Sequence, residues 1–253
     1  MKKIPLLEFD GSIPAIIEPS KHIRNINAPE RCVITFFQDE LRELVKRYRA
    51  KVIYTIKSEI GRNPVYSISH KGVKIAVYHP FVGAPLAAGT MEEAIAIGCR
   101  RFIACGAAGT LHSSRQIGHV ILVDSALRDE GASFHYAKPS RVIQADKKVV
   151  SAIERALKQK KIVYTKGMSW TTDGFYRETP KKIRARIKEG CLTVEMESAA
   201  FIAVARFRKV KFGQLLYAGD DVGGSEWNSR DWHNQPGHRR ALLYLALDTV
   251  LKI

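Results

Sequence analysis

The chain has 253 residues, 45% hydrophobic and 26% charged, the balance of a soluble globular protein that buries a core in one large domain or two small ones. No apolar run is long enough to span a bilayer, and Met1 to Pro5 is basic without a following apolar segment or small-residue cleavage site, so neither a membrane span nor a secretory signal is expected. The formal charge of +16 raises nucleic acid as a partner. The cations are dispersed along helical patterns, however, as in Arg42-Lys46-Arg47-Arg49 and Lys181-Lys182-Arg184-Arg186-Lys188, and no basic tail or RNP-like signature accompanies them. Solvated helix faces are the expectation, with the excess charge drawing anionic small molecules toward a cleft.

Residues 1–30, with four prolines among short runs, read as an irregular arm free to reach a neighbouring subunit. Cys32 to Phe37 then predicts a strand, and Asp39 to Tyr48 a helix with Leu41, Leu44, Val45 and Tyr48 on one face. Val52 to Ile56 is a second strand, and Val65 to Ser69 with Val73 to Tyr78 predict a hairpin about His70-Lys71-Gly72. Ala84 to Ile97 is helical and ended by Gly98. Arg101 to Cys105 is a buried strand entering a Gly106-Ala107-Ala108-Gly109 turn, and Val120 to Asp124 is the next strand. Lys147 to Lys158 is a helix, Ile162 to Lys166 a strand, and Pro180 to Glu189 a helix opened by its proline. Thr193 to Glu195, a helix from Ser198, the strand Phe212 to Tyr217 and a helix from Pro236 to Lys252 complete the chain. Such alternation predicts one α/β domain over residues 1–253, a three-layer α/β/α sandwich with a central mixed sheet. Cys32, Cys99, Cys105 and Cys191 form no C-x-x-C pair and read as buried thiols in a reducing, cytoplasmic compartment.

Ligands of open α/β sheets sit beyond the carboxyl ends of strands, and four such ends carry unusual residues. Gly106 to Gly109 lets backbone approach a ligand, although close packing explains it equally well. Arg128 to Tyr136 is a charged stretch ending in aromatics. Trp170 to Thr179 offers Phe175 and Tyr176 for stacking on a planar base or sugar, with packing under the loop as the equal alternative. At Ala218-Gly219-Asp220-Asp221-Val222 a carboxylate emerges from an apolar strand, where desolvation raises its pKa toward general-acid duty. The fifth and most informative stretch is Glu195-Met196-Glu197, two acids at a strand-to-helix junction. Alone they are decoration favoured by the helix dipole. Buried, they require partners such as sugar hydroxyls or a cation.

Together these passages resemble the nucleoside phosphorylase family, which includes uridine phosphorylases, hexameric purine nucleoside phosphorylases and adenosylhomocysteine-type nucleosidases. Gly83-Ala84-Pro85 looks like that family's Gly-Gly-Pro turn, Gly106 to Leu111 its glycine turn, and Arg128 to His135 its uridine phosphorylase loop. Glu195-Met196-Glu197 is the most specific motif. The resemblance implies a phosphorylase/hydrolase-like fold and a homo-oligomer, a dimer or trimer of dimers. It assigns Glu195, Met196 and Glu197 to ribose, with Glu197 hydrogen bonding the 2′ and 3′ hydroxyls. Phe175 and Tyr176 fall to the base, and Asp220 to protonation of purine N7, with Asp221 the neighbouring candidate. No cofactor or metal is implied, since acids alone stabilise the cation that builds on the sugar and protonate the leaving base.

The nucleophile side departs from that pattern. Phe36-Phe37-Gln38-Asp39-Glu40-Leu41-Arg42 contains no Gly-Asp-Pro, and Ala104 and Ala107 stand where an arginine and a hydroxyl are expected. Each change removes a donor to a phosphate co-substrate. Arg42 and a partner-donated Arg62 are the candidates to compensate, beside Gly106 and Ala107. Glu40 falls where nucleosidases place a water-activating glutamate, or is an ordinary first-turn acid. After Tyr176 the residues that read uracil are replaced by Arg177, Thr179 and Lys181. Asp220 leans toward purine, whereas the Arg128 loop leans toward uridine. The chain is thus expected to cleave a nucleoside by phosphorolysis, with hydrolysis or simple nucleoside binding as alternatives.

Overall fold

The computed structural model describes residues 4–253, so the first three residues of the arm lie outside the described residues. Among the described residues the arm contains a 3-10 turn, Pro5–Leu7, and the four-residue α1, Pro19–His22. It is pinned to its own chain: Arg208 donates to Glu18 at 2.7 Å and to Glu92 at 2.8 Å, holding two buried carboxylates together. From Glu18 onward the arm therefore folds back instead of reaching outward.

The helices and strands then alternate. β1 (Arg31–Thr35) leads to α2 (Gln38–Arg47), whose first turn carries Asp39 and Glu40 and whose last turn carries Lys46 and Arg47, matching the helix dipole. β2 (Lys51–Ser58), β3 (Gly61–His70) and β4 (Val73–Tyr78) form an antiparallel meander. α3 (Ala84–Ile97) starts at Gly83, at φ +97°, with Pro85 in its first turn, and stops at Gly98. β5 (Arg101–Thr110), β6 (Val120–Asp129) and the short β7 (Val142–Gln144) precede α4 (Lys147–Gln159). β8 (Tyr164–Thr172), α5 (Pro180–Lys188), β9 (Cys191–Glu195), α6 (Ser198–Phe207), β10 (Lys211–Asp221) and α7 (Pro236–Val250) follow.

All ten strands belong to one mixed sheet. β5 is its axis. Its first half pairs parallel with β1, Arg31 to Thr35 lying opposite Arg101 to Cys105. Its far end pairs antiparallel with β9 through Gly109–Val194 and Thr110–Thr193. Because β10 pairs with both β5 and β6, and β8 joins β6 to β9, five strands close into a ring from which β1, β4, β3 and β2 extend. α3 packs on α6, while α2 and α4 pack on α7, enclosing the sheet between helical layers. The core between them includes Ile34, Ile75, Phe102, Ile103, Phe201 and Leu215. All four cysteines are buried as free thiols, Cys32, Cys99 and Cys105 in this core and Cys191 in a smaller cluster with Trp170 and Val194. Among the described residues, no helix is long and apolar enough to cross a membrane.

Several predicted strands stop short of the observed ones, and Gly106 to Gly109 is strand rather than turn. The small residues are needed because β5 is crowded from both sides. A Cβ on Gly106 would lie 2.9 Å from the Phe36 ring, and one on Gly109 would lie 3.0 Å from Val194 Cγ1. β10 likewise runs on through Asp220 and Asp221.

Candidate active site

At the β9–α6 junction the two acids have different surroundings. Glu195 is buried and saturated. Its Oε1 accepts from Ser169 Oγ at 3.1 Å and Thr171 Oγ1 at 2.7 Å, and its Oε2 accepts from the backbone N–H groups of Glu197 at 2.7 Å and Ser198 at 2.6 Å. The last two are orphan donors of the helix start, so Glu195 caps α6 and ties it to β8. Burial raises its pKa, while these donors pull it down. Of the three residues expected at the ribose, Glu195 is thus the one whose carboxylate the fold itself satisfies.

Glu197 is equally buried, but no side chain donates to it among the described residues. Its Oε1 accepts from Gly83 N–H at 2.6 Å, a donor exposed by the positive φ at which α3 begins. Burial first, then repulsion from Glu195, pushes the Glu197 carboxyl up to about 8, against the pull of the Gly83 and Met196 N–H groups. Met196 lies between the two acids where the chain turns into α6. On the neighbouring strand end, His79 accepts from Phe81 N–H at 3.0 Å and stacks edge-on with Phe36 and Phe81, with centroids 6.2 and 6.3 Å away. Burial lowers the His79 pKa, against a backbone hydrogen bond at Phe36 that raises it.

The tandem acids at the end of β10 divide in the same manner. Asp221 is buried, with Oδ1 accepting from Ser113 Oγ at 3.1 Å and Gly223 N–H at 2.9 Å, and Oδ2 from Arg230 at 2.8 Å. These three partners fix its carboxylate at the strand end, so Asp220 is the freer of the two acids expected near a base. Asp220 is half-buried and has one side-chain donor, Trp227 Nε1, at 2.8 Å on Oδ2. Its Oδ1 lies 3.5 Å from a Cβ built on Gly109, beside the strand that leads to Glu197. Burial raises the Asp220 pKa, opposed by Trp227.

Phe175 and Tyr176 open a 3-10 turn, 51% and 87% exposed, their rings 4.1 Å apart. Neither is core packing. Asp173, just before them, accepts from Gly131 N–H at 2.9 Å and adds its charge to the field at Glu197. The expected nucleophile residues do not converge. Glu40 is a buried first-turn acid that accepts from Arg240 Nε at 2.9 Å. Arg42 is on the outer face of α2, paired with Asp39 at 3.3 Å. Arg62 is on the β2–β3 hairpin, lining an open groove with Tyr54, Lys57 and Glu93, while its neighbour Asn63 donates to the His79 carbonyl. Gly106 is under Phe36, and Ala107 beside it is half-buried. Missing from the predicted set are Gly83, His79, Glu178 and Trp227. Glu178 and Trp227 had a signal available, an acid and an aromatic within or just beyond two loops already singled out.

The strand ends of this mixed α/β sheet thus present two carboxylates, buried Glu197 and half-buried Asp220, each accepting one hydrogen bond among the described residues. Residues 30–247 match the family model described as phosphorylase superfamily. The chain belongs to that superfamily. Over 171 residues it is 25% identical to a guanosine phosphorylase of Halorubrum lacusprofundi, covering 66% of this chain and 71% of that one. Over 107 residues, 42% of this chain and 39% of the relative, it is 35% identical to a uridine phosphorylase of Thermococcus kodakarensis. A crystal structure of uridine phosphorylase from Vibrio fischeri shares the fold with a TM-score of 0.76 at 22% identity, covering 91% of this chain and 95% of that one.

Proposed function

We propose that the protein is a nucleoside phosphorylase that breaks the N-glycosidic bond of a purine nucleoside. The observation that carries this is the contrast within each pair of neighbouring acids: Glu195 accepts four hydrogen bonds and Asp221 three, whereas Glu197 and Asp220 accept one each among the described residues. Glu197, oriented by Gly83 N–H, accepts from the ribose 2′ and 3′ hydroxyls, with Met196 against the sugar. Those hydroxyls favour the ionised carboxyl, and its charge then stabilises the cation that develops on C1′. Asp220, its pKa raised by burial, gives its proton to N7 so that the base departs neutral. Phe175 and Tyr176 close over the base.

Phosphate is the nucleophile in this proposal. The relatives named above are phosphorylases, and the ion pair with Arg240 holds Glu40 in a first-turn role rather than as a base for water. Arg62, exposed on its hairpin, reaches the phosphate of a second copy, so the active form is a homo-oligomer. A nucleoside panel assayed with and without phosphate tests this. Expected is ribose 1-phosphate and free purine, formed only with phosphate, and a loss of roughly 10²–10⁴-fold in Asp220→Asn. Free ribose without phosphate overturns the choice of nucleophile. Turnover confined to uridine overturns the choice of base, and absence of base release in all conditions overturns the enzyme assignment.

A further inference from the structure

One carboxyl near Asp220 accepts no hydrogen bond among the described residues. Glu178 follows the Phe175–Arg177 turn, is half-buried, and its side chain makes no hydrogen bond among the described residues. It lines a cleft of about 200 Å³ between α5 (Pro180, Ile183, Arg184) and the loop after β10 that ends in Trp227. Trp227 is also the residue whose indole N–H holds Asp220 Oδ2, so a single aromatic joins the cleft to the acid. The Glu178 and Asp220 carboxyls are near enough to repel one another. A second acid with no cation locked onto it, beside an acid already assigned to the leaving base, is costly unless a ligand uses it.

We propose that Glu178 reads the purine substituent next to the nitrogen that Asp220 protonates, accepting from a 6-amino group when ionised and donating to a 6-oxo group when protonated. This rests on the purine reading above. Along a purine edge the group adjoining N7 on the six-membered ring is the C6 substituent, so two adjacent carboxyls meet two adjacent positions. A titrating acid serves both kinds of substituent by changing form, because an amine demands an acceptor and a carbonyl demands a donor; its choice between them therefore follows pH, which that of an amide does not. The groups that set its titration are on every side. Burial acts first and Asp220 second, together lifting Glu178 to about 7; Lys182 opposes them but is shared with Asp129 at 3.4 Å. Arg184 and Glu226 line the same cleft with opposite charges.

The test is the ratio of kcat/KM for adenosine to that for inosine between pH 6 and 8, in the full-length protein and in Glu178→Gln and Glu178→Ala. In the unaltered protein the ratio rises with pH by roughly tenfold or more, as the acceptor form replaces the donor form. In Glu178→Gln, whose amide offers a donor and an acceptor and does not titrate, the ratio is flat. In Glu178→Ala both substrates lose rate. An equal pH slope in Glu178→Gln, or purine rates in Glu178→Ala within about twofold of the original, overturns the role of Glu178 and leaves the purine assignment standing. Turnover of uridine without either purine overturns both.

Discussion

Replacing Glu197 by glutamine tests the energetic core of the site, because the buried carboxyl exerts a calculable strain on the fold. With a pKa raised from 4.5 to about 8, Glu197 holds its proton in the native state over a range where the unfolded chain has released it. The native state therefore binds more protons, and stability falls as pH rises from about 4.5 to about 8, then levels. Each pH unit across that window is worth about 1.4 kcal/mol. Between pH 5 and pH 8 the integrated loss from this one group is about 3–4 kcal/mol. Glutamine keeps an oxygen for Gly83 N–H and removes the titration together with the repulsion from Glu195. Urea unfolding of both proteins at pH 5, 6, 7 and 8 measures the difference. The stability of Glu197→Gln relative to the original should rise by that amount across the series, even as its turnover collapses. A difference that stays constant with pH refutes the argument, since it would mean that Glu197 is ionised in the native state and its burial is offset in some other way.

Thr171→Val removes a donor to Glu195 at 2.7 Å and an acceptor for Ala199 N–H at 3.0 Å. It should cost about 2–4 kcal/mol in chemical denaturation, with KM for nucleoside raised because α6 loses its anchor. Arg208→Met leaves Glu18 and Glu92 buried without their cation. It should cost about 3–5 kcal/mol at neutral pH and free the arm to exchange its amide hydrogens, which hydrogen-exchange mass spectrometry reads directly. Gly106→Ala sets a methyl 2.9 Å from the Phe36 ring, and thermal unfolding should show a loss of about 1–3 kcal/mol.

The alternation of elements was legible in the sequence because helical periodicity and apolar runs are local signals. Strand ends were not. β5 through Gly109 and β10 through Asp221 contain glycines and acids that local propensity assigns to turns. They are extended because strands on both sides pair with them, Ala218 with Ala108 and Asp221 with Thr110, and that pairing is tertiary. The same limit governs the site. Sequence points to acids at positions 195, 197, 220 and 221 but cannot assign their partners, since Ser169 and Thr171 arrive from β8 and Arg230 from the loop beyond β10. Arg42 looked available for an anion until α2 turned it outward onto Asp39.

The two tandem pairs show why a binding acid comes with a second one. A carboxylate poised for a ligand must be buried enough for its charge or proton to act strongly, yet must lack internal donors that would satisfy it. Such a group does little to fix its own position. At each junction an adjacent acid supplies the missing order. Glu195 gathers four donors and fixes the turn from which Glu197 projects, and Asp221 locks Ser113, Gly223 and Arg230 around the strand end that presents Asp220. The saturated member also raises the pKa of the open one by repulsion, Glu195 acting on Glu197 and Asp221 on Asp220. Neutralising the structural acids should therefore act on the open ones twice, through lost geometry and through a lowered pKa, the second of which weakens Asp220 as a proton donor but favours the ionised form of Glu197. Glu195→Gln separates the two effects: its amide keeps one acceptor while losing the charge, so a fall in the kinetic pKa assigned to Glu197 with little change in fold would reveal the electrostatic part alone.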